Sequence, residues 1–120
     1  MLEDKKTLGL TEKNKATMEQ VVESVGFGHD MDAAKFAFAL AISRGEEPTQ
    51  IEGIGTIWNV GSFDEDGDLK ALIENLYPNA KTPYRTLETL MNIGFRLLAE
   101  ELQADRTIRI EELLQKEMAS

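Results

Sequence analysis

The chain has 120 residues, no cysteine, one histidine and a formal net charge of −9. Its length suits one domain, and 42% hydrophobic with 29% charged residues is a globular composition rather than a disordered one. Lack of cysteine excludes a disulfide framework, a thiolate metal site and a cysteine nucleophile, and a lone His29 excludes a multi-histidine metal centre and disfavours a histidine-based triad.

Along the chain, Lys5-Lys6-Thr7-Leu8-Gly9-Leu10 alternates polar and apolar residues and predicts a short strand with Leu8 and Leu10 on one face. Thr11 is a suitable N-cap for a helix over Glu12–Val25, where Met18, Val21, Val22 and Val25 form an apolar stripe. Gly26 stands where a left-handed residue closes a helix. Asp30 or Asp32 is the expected cap of a second helix, Met31–Arg44, whose middle from Ala33 to Ile42 is apolar nearly all round. Such a helix must be covered on several sides, which predicts a homodimer or higher oligomer contacting itself through Phe36, Phe38 and Leu40. Alanines 33, 34, 37 and 41 also permit close helix–helix approach.

Residues 48–68 lack a clean period and read as a glycine-rich loop with one extended piece near Thr56–Val60. A third helix is expected over Leu69–Leu76. Thr82-Pro83 then starts the clearest helix of the chain, with Tyr84, Leu87, Met91, Phe95, Leu98 and Leu102 along one face. The pattern loses phase at Asp105-Arg106-Thr107 and resumes at Ile110, Leu113, Leu114 and Met118, predicting a break. The expected fold is mainly α: four to five helices, a short N-terminal strand and an irregular Trp/Gly-rich loop. Residues 1–120 form a single domain, with a strand-helix-helix module at 1–45, a loop at 46–68 and a helical half at 69–118.

Charge is unevenly spread: residues 1–45 hold six basic and seven acidic side chains, residues 46–120 seven basic and fifteen acidic. Acidity overall argues against non-specific nucleic-acid binding, although it leaves room for a local basic face in the N-terminal third. The start, Met1 to Lys6, lacks the basic-then-apolar order of a signal peptide, and no apolar run is long enough to span a bilayer. A cytoplasmic protein with no membrane partner is expected.

Residues 1–45 resemble the ribbon-helix-helix (MetJ/Arc) class of regulators, in which two chains pair their N-terminal strands and lay the ribbon in the major groove of DNA. The resemblance implies Leu8 and Leu10 inward and Gly9 outward, with Lys5, Lys6, Thr7, Lys13 and Lys15 as DNA contacts. The sequence departs from that pattern at His29-Asp30-Met31-Asp32, where two carboxylates stand in the phosphate-anchoring position, and at Gly9, which has no side chain for base readout. The same third also resembles DndE of the phosphorothioation system. The stretches Thr56–Asp64 and Thr82–Arg85, with Glu88 and Gly94, resemble small prokaryotic proteins, some related to DNA modification and defence.

Four further features bear on chemistry. Asp64-Glu65-Asp66-Gly67-Asp68 suggests a calcium loop, but an EF-hand needs glycine and glutamate where Leu69 and Asn75 stand, so a helix start capped by Asp66 or Asp68 is expected, with no metal and no cofactor. Trp58 is a candidate anchor for another protein. The glycines match no phosphate-binding loop. His29 beside Asp30 is the one pair suited to acid–base chemistry, and a pocket gathering both with Trp58 would favour an enzyme. The leading expectation is a non-enzymatic interaction or regulatory module that self-associates through its N-terminal third; the alternative is a DNA-binding regulator or DNA-modification accessory.

Overall fold

The computed structural model describes residues 3–49, 51 and 54–103. Its elements are β1 (Thr7–Thr11), α1 (Glu12–Val21), α2 (Asp30–Ser43), β2 (Ile54–Asn59), α3 (Val60–Phe63), α4 (Asp68–Leu76) and α5 (Pro83–Gln103), with one π-helical turn, Val22–Gly26, extending α1. The fold is mainly α. The expected break at residues 105–107 and the stripe beyond it lie outside the described residues.

Local signals account for most boundaries. The Thr11 hydroxyl accepts from the Asn14 N–H at 3.1 Å, capping α1. Gly26 adopts φ 87°, so the chain turns there in the left-handed region expected of it. Helix α2 begins at Asp30, with His29 in the cap position and no side-chain capping bond. Asp30 and Asp32 therefore lie inside the first turn, where their charges complement the helix dipole. Helix α4 is capped by neither Asp66 nor Asp68. The cap is the buried Asp64, which accepts from the N–H groups of Leu69 (2.9 Å) and Lys70 (3.1 Å) because Gly67, at φ 73°, folds the chain back over it. The N-terminus of α5 is held from a distance: the Asp4 carboxylate accepts from the N–H groups of Tyr84 (2.9 Å) and Arg85 (3.1 Å).

Helix α5 is the hub, and β1, α1, α2 and α4 all pack on it. Residues 87–95, together with Leu97 and Leu98, are buried. Its closest neighbour is α2: a Cβ placed on Gly94 would lie 1.9 Å from the Ala37 carbonyl oxygen, so the two backbones touch where small residues face one another. The expected close approach of the alanine helix is thus made within the chain. Ala33, Ala34, Ala37, Phe38, Leu40 and Ala41 are buried, and Met31, Phe36 and Ile42 pack partly against the same core. The chain thus covers α2 by itself, where a second copy was expected to do so more easily. Among the described residues the exposed large apolar side chains are Leu72 and Leu76, on α4.

The two strands form an antiparallel sheet, pairing Leu8 with Trp58, Gly9 with Thr56 and Thr11 with Ile54; Ile57 is the extra residue of a bulge. Gly9 is required there, since a Cβ would fall 1.4 Å from the Gly55 carbonyl oxygen. Leu8 and Leu10 face the core as expected, but Gly9 is buried as well rather than outward.

Candidate functional site

Two polar arrangements stand out, one internal and one at the surface. The internal one fastens β1 to α5. Residues 9 and 11 turn their backbone groups away from β2, because successive residues of a strand face opposite edges. Those groups meet two side chains of α5. Glu88 accepts from the Gly9 N–H at 3.0 Å, and Asn92 accepts from the Thr11 N–H at 3.1 Å while donating to the Gly9 carbonyl at 3.1 Å. Asn92, fully buried, also accepts from the Asn14 side chain at 2.8 Å and donates to the Glu88 carbonyl at 2.8 Å. The Lys5 ammonium completes the cluster, 2.7 Å from Glu88 Oε2.

This geometry bears on every residue that the ribbon-helix-helix resemblance singled out. Strand β1 pairs with β2 of its own chain, and its other edge is occupied by α5 at Gly9 and Thr11, so the edge that a second copy's strand would need is already used. Lys5 is half-buried against Glu88, and the Thr7 hydroxyl lies 3.4 Å from that of Thr56. Lys6, Lys13 and Lys15 are exposed. Lys13 and Lys15, two positions apart on α1, project about 200° from each other, so the lysines do not share one face.

The surface arrangement gathers Gly28, His29, Asp30, Met31, Asp32 and Trp58 around a cleft of about 480 Å³. Trp58 is its aromatic lining residue, and the half-buried ring packs on buried Phe63, centroids 5.3 Å apart and planes inclined by 54°. Its rim is the first turn of α2, with His29, Asp30 and Asp32 exposed to solvent. Lys35, one turn further along α2, sets its ammonium 5.5 Å from the Phe63 ring centroid. Around Lys35 and Phe63 a second cleft of about 290 Å³ is lined by Asp64, Glu65, Asp66 and Asp68.

Of the expected interaction residues, only Trp58 lies in this cleft. Phe38 and Leu40 belong to the core, and Phe36 is half-buried against Phe27 with ring centroids 5.9 Å apart. The cleft does bring His29, Asp30 and Trp58 together. Its lining supplies no hydroxyl or amine nucleophile, and both ionisable partners stand in water, where a fixed charge stabilises a transition state least.

Sequence reasoning missed the grip of Glu88 and Asn92. Their signal is a polar pair four residues apart beside the Leu87/Met91 stripe, on a helix face that a purely amphipathic reading assigns to solvent. Asp64 accepts a third bond, from the Tyr84 hydroxyl at 2.9 Å. Burial first, and then that bond to a carboxylate, push the Tyr84 phenol up to about 12. The carboxylate that began the suspected calcium loop is thus spent on two backbone amides and a phenol. No described helix is long and apolar enough to cross a membrane. No family model matches the chain, and neither the curated proteins nor the solved structures give a match.

Proposed function

We propose that this protein is a non-enzymatic interaction module that meets a protein partner at the Trp58 cleft. The observation behind this reading is the placement of the chain's one tryptophan: half-buried, braced from behind by Phe63, and lining a concave surface rather than filling the core. A rigid, partly exposed aromatic in a depression is the residue type and setting in which binding energy concentrates. Burial of α2 within the chain and pairing of β1 with β2 favour the Trp58 cleft over self-association through the N-terminal third or a DNA-binding ribbon as the place of contact.

A random peptide library displayed on phage, selected on the wild-type protein and counter-selected on Trp58→Ala, tests the reading. Peptides that require Trp58 support it. Failure to recover any Trp58-dependent peptide, alongside salt-sensitive binding of duplex DNA at low ionic strength, supports the DNA alternative instead. A second reading, acid–base chemistry at the same cleft, draws on the meeting of His29, Asp30 and Asp32. His29→Ala separates the two, since an interaction surface anchored on Trp58 keeps its peptides without the imidazole.

A further inference from the structure

The cleft has a chemical bias beyond Trp58. The Trp58 and Phe63 rings are in contact, so the two depressions that they line share one aromatic ridge. Exposed carboxylates border it on both sides: Asp30 and Asp32 on one, Glu65, Asp66 and Asp68 on the other. One ammonium already sits on the ridge, that of Lys35 at 5.5 Å from the Phe63 centroid, within the range where the negative face of a ring attracts a cation. The Trp58 side of the ridge has the same aromatic and acidic surroundings, and its cleft lining includes no lysine or arginine. Resting on the interaction reading above, we propose that the partner is a lysine- or arginine-rich protein segment, one basic side chain of which seats against Trp58 beside the acidic first turn of α2.

The shape favours a peptide over a small polyamine. Small-molecule sites enclose most of their ligand, whereas this cleft is rimmed by exposed Gly28, His29, Asp30 and Asp32, and the second depression lies on the other side of the Trp58–Phe63 contact. A chain with several cations can follow both. The net charge of −9 steers such a segment inward from a distance.

The emission of Trp58 provides the readout, since no other tryptophan contributes. The probes are a ten-residue peptide carrying four lysines and two arginines, its counterpart with glutamate at those six positions, and spermidine. The basic peptide is expected to change Trp58 emission saturably at 50 mM salt, the acidic one to leave it unaltered, and spermidine to bind at least tenfold more weakly. The double variant Asp30→Asn/Asp32→Asn should weaken the basic peptide about tenfold. Glu19→Gln/Glu23→Gln on α1 and its π turn, an equal change of net charge away from the cleft, should alter its affinity less than twofold. Equal losses in the two double variants would reduce the effect to general attraction and overturn the proposal, as would spermidine binding as tightly as the peptide. Selection of Trp58-dependent peptides that are neutral or acidic would overturn the basic-segment proposal while leaving the interaction reading standing. Absence of any Trp58-dependent peptide would remove both.

Discussion

Asn92 shows how much one side chain can hold. It satisfies the Gly9 carbonyl, the Thr11 N–H and the Asn14 amide from a position with no solvent access. Asn92→Leu matches its volume roughly but strands at least two buried backbone groups, at about 1–3 kcal/mol each. Urea denaturation of this variant should therefore show a loss of roughly 2–6 kcal/mol. Tyr84 makes a different prediction. Its phenol ionises more reluctantly in the folded protein than in the unfolded chain, so the neutral form stabilises the fold. That contribution is complete below pH 10 and is lost as pH rises through about 12. Absorbance at 295 nm should show both tyrosines titrating late, since burial also raises the Tyr77 phenol, and Tyr84→Phe should remove the step near pH 12 and flatten the alkaline limb of the stability curve. Neither role was visible in the sequence, where Asn92 drew no attention and Tyr84 counted as an apolar step of a helix and as part of the Thr82–Arg85 stretch.

At the level of elements, helices were the most legible feature. Thr11, Gly26 and the Thr82-Pro83 pair mark boundaries by local chemistry, and local chemistry can be read from neighbours in sequence. The two caps supplied from elsewhere, Asp4 on α5 and Asp64 on α4, were not legible in that way, because a carboxylate several residues or a whole domain away leaves no spacing to detect. The same holds for which helix is central. Composition pointed to α2, the most apolar stretch, yet α5 is the one surrounded, and it tolerates Glu88 and Asn92 inside because β1 presents unpaired backbone groups to them. The crossing of these helices is a sharp test. Gly94→Ala drives a methyl into the Ala37 backbone and should cost about 1–3 kcal/mol or more in thermal unfolding. Gly61→Ala, in α3 with open space around its Cβ position, should be neutral or stabilise by about 0.5 kcal/mol.

Among the described residues, one buried cluster draws side chains from β1, α1, α2, α3, α4 and α5. A single core predicts a single cooperative transition: far-UV circular dichroism, which follows the helices, and Trp58 fluorescence, which follows the cleft, should share one midpoint in urea. Separate midpoints would mean that the aromatic ridge loosens before the core does. The overall charge was legible from the start, but not its meaning for function, since only folding sets Asp30 and Asp32 beside Trp58, some 26 residues further on. The fastening of β1 also fixes a timescale. Amides of an edge strand ordinarily exchange with solvent whenever the strand frays. Those of Gly9 and Thr11 donate instead to side chains of the central helix, so deuterium reaches them only when α5 itself withdraws, and a strand at the margin of the sheet should exchange as slowly as the middle of the core.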